Sequence, residues 1–574
     1  MLFLRSLISL FNSMNRRYYL LFFVLFFTSL LNAQNYFIRY NHAGYKRIGG
    51  KSLIINSINS ITGKNWTISL GDSILLRGEI KKSITGKGDH TNFPFNYRVD
   101  FSSIQKNGLL KFKFEEKSYE INISNDPYSK YIKEVLRYLR QQRCASYTSL
   151  DREPGHFRDS SALLYKQVGD KKEWKETSLN VDMSGGWYDA GDYLKFNLTN
   201  AYTCYQLLRA YEENPIIFNY KKYSKTQLND LLDEVKFGLN FIEKCLINDS
   251  TFVFQVGDHR DHNFGNRLPA NDKNTHRYAY ASLSRSHMAF SSASFAVASR
   301  VFMPIDSVLS EVYLKKSQIL FEMSQKNKGV YWFEKNHEVF YADKSPFDNM
   351  LLAASELAIT TGDKDYIKQI HYYSSLAGKG YWSSWADFNM FAHYRAGKYS
   401  SRSSNYLISE LEYFEKKANV INNIWMVPHD YTWGSLYSFF GVASAAILHD
   451  KLTKQNTFKY LAQEVIDYTF GKNNWGVSFL ASKTLSNSVE NIYSQTYKVQ
   501  QNLFPVGAIA EGPGDMEGHL SNSKWFSLSK KALKSEKFNT NKVVFYDDET
   551  NFQTMETTIG GIADGILLLA LISK

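Results

Sequence analysis

Two acids share the loop richest in glycine and aromatics, Ser184-Gly185-Gly186-Trp187-Tyr188-Asp189-Ala190-Gly191-Asp192-Tyr193. Glycines permit tight turns and close backbone approach. Neighbouring aromatics can desolvate a carboxylate and raise its pKa, or offer a flat face to a sugar ring. Trp187, Tyr188 and Tyr193 are the candidate faces here. Asp189 and Asp192 are close enough in sequence to hold and orient one water together. The same pattern also fits an Asp/Gly loop around a structural calcium, or a turn with helix caps.

A second candidate acid stands near the C-terminus. Phe545-Tyr546-Asp547-Asp548 is followed by Phe552 and Glu556, just before an apolar run that begins at Ile559. A carboxylate at a helix start can simply favour the helix dipole. As a general acid, Glu556 would instead need partial burial and a raised pKa. Asp189 and Asp192 can meet Glu556 only if the intervening chain closes on itself.

Other chemistry-bearing types are more diffuse. His259, His262, His276 and His287 lie near Val256-Gly257-Asp258, and a His-x-x-His spacing can ligate metal, but no partner acid motif accompanies it. These histidines read as polar loop residues, and no metal site is assigned. Trp332, Trp382, Trp385, Trp425 and Trp433 fall in loops between helical stripes. Core packing explains most of them, and Trp385 and Trp433 are the candidate sugar platforms. There is no P-loop, dinucleotide fingerprint, nucleophile elbow or His-Glu-x-x-His. Cys144, Cys204 and Cys245 show no Cys-x-x-Cys spacing and read as small buried residues.

The elements that must position these groups differ along the chain. From Tyr36 to about Ser124 the hydrophobic period is two. Leu110, Phe112 and Phe114 alternate with lysines, and Tyr119, Ile121 and Ile123 follow a polar turn, so a hairpin with one buried face is expected. Leu53–Ile55, Trp66–Leu70 and Ile74–Ile80 read as further strands of a β-sandwich. Asn125-Asp126-Pro127 breaks the pattern. From Lys130 onward the period is helical, with stripes at Tyr131–Leu139, Ala201–Tyr211, Leu228–Leu246, Ala293–Phe302, Val308–Met323, Met350–Ile359, Leu407–Phe414, Leu436–Leu448, Tyr460–Phe470 and Ile559–Leu571. A closed ring of paired helices would bury these stripes and gather the long loops at one end.

Composition sets outer bounds. The 574 residues are 44% hydrophobic and 22% charged, which excludes a disordered chain. The net charge of +12 is spread without a basic stripe, so nucleic-acid binding is not expected. Arg16-Arg17 precede an apolar run from Tyr18 to Leu31 and then Asn32-Ala33-Gln34, the pattern of a cleaved export signal. A membrane span needs about 20 apolar residues, so no stable span is expected after cleavage. The expected organisation is a signal peptide over 1–33, a β-sandwich over 34–126 and a helical domain over 127–574, in a secreted or periplasmic protein.

Gly186-Trp187-Tyr188-Asp189-Ala190-Gly191-Asp192-Tyr193 resembles the hallmark segment of glycoside hydrolase family 9. Phe545, Asp547, Phe552, Glu556, Thr558 and Ala563 resemble that family's second signature. Met555 and Ile562 stand where the family usually has Asn. Weaker likenesses are Gln142-Arg143-Cys144, Val256-Gly257-Asp258, Ala296–Phe302, Trp433-Gly434-Ser435 and Gly471-Lys472-Asn473. The N-terminal Ile38-Arg39-Tyr40-Asn41-His42-Ala43-Gly44-Tyr45, with Asp100-Phe101-Ser102, resembles the immunoglobulin-like module that precedes the barrel in one branch.

The resemblance implies an immunoglobulin-like β-sandwich followed by an all-α (α/α)6 barrel. It implies an inverting glycosidase with Asp192 as base, Asp189 helping to hold the water and Glu556 as general acid. The partner is then a β-linked oligo- or polysaccharide, with no cofactor required and a structural calcium compatible with the fold. The family's His-x-Arg sugar-contact segment is absent, since the corresponding stretch runs Asn491-Ile492-Tyr493-Ser494-Gln495-Thr496-Tyr497-Lys498. That departure leaves open an exo-acting enzyme, another β-linked glycan or an amino-sugar glycan. The alternatives are a non-catalytic glycan-binding protein on the same scaffold and a polysaccharide lyase.

Overall fold

The computed structural model describes residues 35–573, except 169–172, 264, 274–275, 328–339, 342–344 and 501–502. The expected signal peptide and Trp332 lie outside the described residues. The described residues open with a β-rich region of two sheets. One has the order β1-β3-β6 (Tyr36–Arg39, Ser52–Ser57, Phe95–Asp100). The other has the order β2-β8-β7-β4-β5 (Tyr45–Lys46, Lys117–Ser124, Gly108–Phe114, Asn65–Leu70, Ser73–Glu79). The expected hairpin is present as β7–β8, with Phe112 opposite Tyr119 and Leu110 opposite Ile121. Leu110, Phe112, Phe114, Ile121 and Ile123 are buried while the lysines between them are exposed, which is the period-two pattern realised. Their side chains share one apolar core with Leu53, Ile55, Tyr97 and Val99 of the other sheet.

The helical region follows. Among the described residues, twelve helices have eight or more residues. They are α1 (Ser129–Gln141), α2 (Asn197–Glu213), α3 (Asp230–Cys245), α4 (Arg285–Phe302), α5 (Ser307–Lys326), α6 (Phe347–Thr361), α7 (Lys364–Ala377), α8 (Asn389–Ala396), α9 (Ser401–Ala418), α10 (Ser435–Thr453), α11 (Lys459–Thr469) and α12 (Ile559–Ile572). Six of them pack in cyclic order, α2-α4-α6-α8-α10-α12, and α12 closes back onto α2. The other six each back one ring member: α3 on α2, α5 on α4, α7 on α6, α9 on α8, α11 on α10 and α1 on α12. Ring helices are buried almost all round, as α10 and α12 show, whereas α5, α7 and α9 keep an exposed polar face. The ends carry ordinary capping chemistry: Asn229 accepts from the Leu232 amide at the start of α3, and Gly362 closes α6 with φ +72°.

Two features differ from the sequence reading. Helices α7 and α8 carry no legible stripe, because α7 buries only a few side chains and α8 is short and buried on most sides. The region after Lys130 is not purely helical. A sheet forms from β9 (Ala162–Val168), β10 (Glu173–Val181), β11 (Lys195–Phe196), β13 (Thr251–Val256) and β14 (Tyr278–Ala281), with β12 (Leu246–Asn248) beside β13. These strands are inserted between the helices of the ring.

The two regions are joined by buried polar contacts. The Asn41 amide donates to Asp467 at 2.9 Å, Arg98 pairs with Glu464 at 3.1 Å, and the Trp425 indole donates to the His90 carbonyl at 2.7 Å. The β-rich region thereby braces α11 and the loop before α10. Among the described residues, no helix is long and apolar enough to cross a membrane.

Candidate active site

The glycine-aromatic loop is sewn to three helices. The Tyr188 amide donates to the Gln142 carbonyl and the Cys144 amide to the Gly186 carbonyl, beside the end of α1. The Trp187 amide donates to Asn200 of α2. The Asp189 carbonyl accepts from the Ile559 amide at 2.9 Å, at the first residue of α12. Gly186 has φ +70°, and a Cβ there would lie 2.6 Å from the Phe241 ring. A Cβ at Gly191 would meet the Tyr493 carbonyl at 2.5 Å and Glu556 Oε1 at 3.1 Å. Only glycine lets the backbone come this close to the terminal segment.

That closeness joins the two acidic motifs. The Gly191 amide donates to Glu556 Oε1 at 3.1 Å, one residue from Asp192. The Glu556 carbonyl accepts from the Glu511 amide at 3.0 Å, and the Tyr493 amide donates to the Met555 carbonyl at 2.9 Å, so the acid is fixed by its own backbone. Burial, then the nearby charge of Asp192, pushes the Glu556 carboxyl up to about 8. Burial likewise raises Asp189 to about 7. The Tyr341 hydroxyl donates to Asp189 Oδ2 at 2.5 Å, while Asp189 Oδ1 makes no hydrogen bond to the described residues. Asp192 is more open. Its Oδ2 lies 2.7 Å from His262 Nδ1, and its Oδ1 accepts from the Leu194 amide at 3.2 Å.

A buried ion-pair lattice holds this arrangement from below. Lys195, next to the loop, pairs with Asp159 at 2.7 Å, and Arg277 bridges Asp159 at 2.6 Å and Asp261 at 2.7 Å. Asp261 immediately precedes His262, so the same guanidinium fixes both the loop and the helical turn His259–Asn263 that brings His262 to Asp192. Asp159 is held well below the usual carboxylate range by Arg277 and Lys195, against the cost of its burial. His156, Asp261 and Asp272 stand close enough to share a metal ion. The set does not suit calcium, however, because one donor is an imidazole and both carboxylates are already engaged by Arg267 or Arg277. Of the four histidines considered from sequence, His262 sits on an acid of the site, Asp192. His287 is buried in the core, with Nε2 3.2 Å from the Tyr341 carbonyl.

Three expected sugar faces are corrected. Trp187, Tyr188 and Tyr193 are at most 2% exposed. The Trp187 indole donates to Glu234 at 3.2 Å, the Tyr188 hydroxyl contacts His156 at 2.9 Å, and the Tyr193 hydroxyl donates to the Arg267 carbonyl at 2.6 Å. They wedge the loop into the core and present no face to a ligand. Trp433 is 45% exposed and stacks on Phe552, with ring centres 5.2 Å apart. Trp385 is half-buried, edge-on to Tyr341, and lines a cavity of about 320 Å³ with Tyr341. The sequence reading missed His262 as the partner of Asp192, Tyr341 on Asp189, and Glu511, a buried carboxyl beside Glu556. The Asp-His pair at 261–262 was visible in sequence, but its partner lies 70 residues away. The three cysteines are buried free thiols, and Cys144 Sγ donates to Asp159 at 3.3 Å.

Residues 128–569 match the model of "Glycosyl hydrolase family 9". The chain belongs to this family. Among curated relatives, it is 27% identical over 340 residues to Endoglucanase 5 of Arabidopsis thaliana, covering 52% of this chain and 53% of that protein. It is 22% identical over 444 residues to a cellodextrinase of Butyrivibrio fibrisolvens, covering 70% and 79%. The match to Endoglucanase 13 of Oryza sativa spans only 35% of that protein, so this chain spans a third to a half of the length of several curated relatives. Among solved structures, a metagenome-derived glycoside hydrolase family 9 endoglucanase superposes with TM-score 0.77 at 20% identity, covering 94% of this chain and 99% of that one. A mutant thermostable endoglucanase from Alicyclobacillus acidocaldarius gives 0.76 at 18%, with 94% and 99% covered. At these identities the structural likeness speaks for the fold.

Proposed function

We propose that this chain is an exported glycoside hydrolase that cleaves β-linked glycans with inversion. The observation that carries the reading is the Gly191 amide to Glu556 Oε1 contact, which puts a half-buried, proton-retaining acid one residue from Asp192. In this reading Asp192 draws a proton from a water on one face of the sugar. The water oxygen bonds to the anomeric carbon as the glycosidic bond breaks, and Glu556 passes its proton to the departing oxygen. Inversion leaves room for the water by holding acid and base roughly 6.5–9.5 Å apart. Asp189, close to Thr199 and Tyr341, completes the grip on the water. His262 orients Asp192, and Tyr341 orients Asp189. Trp433 and Trp385 are the sugar platforms.

The finer architecture belongs to the same proposal. The cyclic order of paired helices supports a six-hairpin (α/α)6 barrel over 127–574, and the two-sheet region supports an immunoglobulin-like sandwich over 34–126. The Arg16-Arg17 and Tyr18–Leu31 pattern supports export by a signal peptide over 1–33. The test is product analysis over a panel of β-linked glucans, xylans and amino-sugar oligomers, with NMR reading the first anomer formed. The α-anomer of a new reducing end is expected. A β-anomer would overturn inversion, and no release from any member of the panel would overturn hydrolysis.

A further inference from the structure

Tyr493 is threaded between the two acidic motifs. Its amide donates to the Met555 carbonyl at 2.9 Å, and the Gln495 amide donates to the Gly191 carbonyl at 2.8 Å. The segment is thus stitched to the Glu556 side at one end and to the Asp192 side at the other. The side chain follows the backbone. A Cβ placed on Gly191 would lie 3.0 Å from the Tyr493 ring and 3.1 Å from Glu556 Oε1, so ring and carboxyl are neighbours across a residue with no side chain to part them. Burial, then the charges of Glu556 and Asp192, raises the phenol to about 12, so it keeps its proton.

The hydroxyl of this residue is left over while its ring is held. Tyr341 gives its hydroxyl to Asp189, Tyr437 to the Ile509 carbonyl, and the Tyr497 hydroxyl accepts from Gln141. Tyr493 is half-buried, and its hydroxyl neither bonds to the described residues nor is closed off from solvent. The same segment lines a cavity of about 670 Å³ through Asn491, Ile492 and Tyr497. The ring is fixed from two directions. The helical turn Gln495–Val499 carries Lys498 back over it, with the ammonium 3.8 Å from the ring centre. The Phe552 ring meets it edge-on at 5.6 Å and 75°. Lys498 forms no ion pair among the described residues; burial pulls its ammonium down, and the charges of Glu549, Glu556 and Asp548 push back. A locked ring with an unengaged polar end is pre-organised for a ligand that arrives later.

We propose that Tyr493 is a further substrate-contacting residue, whose hydroxyl bonds to a hydroxyl of the sugar held between Asp192 and Glu556, and that Lys498 is the positioning residue that holds its ring. The inference deepens the hydrolytic reading above and rests on it. When base and acid act on either side of one anomeric carbon, a group beside both carboxyls touches the sugar that carries it. A protonated phenol both donates and accepts. Hydrogen bonds to the hydroxyls of that sugar strengthen as positive charge builds on its ring in the transition state. The contact therefore acts on kcat more than on KM.

The test measures kcat and KM on cellotetraose. Tyr493→Phe keeps the ring, the Lys498 contact and the backbone. It should lower kcat at least about tenfold, change KM by less than about threefold and leave thermal melting where it is in wild type. Lys498→Met should lower kcat in the same direction, and Lys498→Arg, which restores a cation over the ring, should recover most of it. Aryl β-cellobiosides, each lacking one hydroxyl on the sugar whose bond breaks, then identify the partner: for one of them the wild-type and Tyr493→Phe rates should converge. An unmoved kcat in Tyr493→Phe, or a deficit undiminished across every deoxy analogue, would overturn the contact. Lys498→Arg no better than Lys498→Met would overturn the positioning role. Those results leave the hydrolase standing. Sugar release that survives Asp192→Ala unchanged would sink the hydrolytic reading itself, and cellotetraose left intact by wild-type protein would take the β-glucan reading and this contact down together.

Discussion

Two populations of buried acid divide this molecule. Beneath the ring loops, Asp159 and Glu356 sit against guanidinium or ammonium groups and stay ionised, held below the usual carboxylate range despite full burial. In the cleft, Asp189 and Glu511 are buried and Glu556 is half-buried; none of the three forms an ion pair among the described residues, and all three are pushed up. Asp564 of α12 marks the boundary. It has no cation either, but three neutral donors, Tyr202, Gln206 and Ser384, satisfy it within 2.7 Å, and it too is raised, to about 7. Burial alone therefore does not tell a structural acid from a chemical one. What separates them is whether the fold supplies its own counter-charge or leaves an oxygen unpartnered for something that arrives later.

The sharpest way to break this division is to remove one member from each side. Glu556→Gln takes away the proton donor and should lower turnover on a hydrolysable glycan by about 10²–10⁴-fold, with the circular-dichroism spectrum unchanged. Asp192→Ala should do the same through the base. On the structural side, Arg277→Met leaves Asp159 and Asp261 buried with less compensation, a change that costs about 3–5 kcal/mol when one partner of a buried pair is lost. Urea unfolding should show that loss. If Arg277→Met unfolded at the wild-type midpoint, the lattice would not be what holds the loop.

The pH profile probes the cleft side alone. Catalysis in the proposed direction needs Glu556 protonated, so kcat/KM should fall as pH rises through about 8. The limb should vanish in Glu556→Gln, whatever activity remains. A limb centred instead near 4 would mean that Glu556 is not enclosed as the structure has it.

How much of this was legible in the sequence follows from the range of the forces involved. The β7–β8 hairpin was readable because its alternation is local, and Leu110, Phe112, Ile121 and Ile123 point where period two sends them. The acid pair and Glu556 were readable as motifs. Their meeting was implied only by ring closure, which a one-dimensional pattern does not contain. Trp187, Tyr188 and Tyr193 were misread because an aromatic beside a carboxylate looks the same whether it faces a ligand or the core. Their burial is fixed by Glu234, His156 and Arg267, residues far along the chain. Glu511 had no signal at all: a lone glutamate before Gly-Pro becomes notable only once Glu556 and Trp433 are beside it.

The smallest expected effect is thermodynamic, and it separates the two acid populations by sign. Native Glu556 keeps its proton up to about 8, whereas an unfolded glutamate releases it near 4.5. Between those values the native state binds more protons than the unfolded state, so this group's contribution to stability falls as pH rises. It is intact below about 4.5 and fully lost above about 8. Asp159 and Glu356 run the other way. Their depressed native values add stability above the ordinary carboxylate range, and that stability is lost on acidification. Glu556→Gln, which cannot ionise, should therefore melt with wild type near pH 4.5 and increasingly above it toward pH 8. Glu356→Gln should lose most against wild type at neutral pH and least in acid. Thermal melts at four or five pH values decide the matter, because the two difference curves must slope in opposite directions. Parallel curves would mean that the cleft acids are as well compensated as the structural ones, and the contrast on which the proposed chemistry stands would be gone.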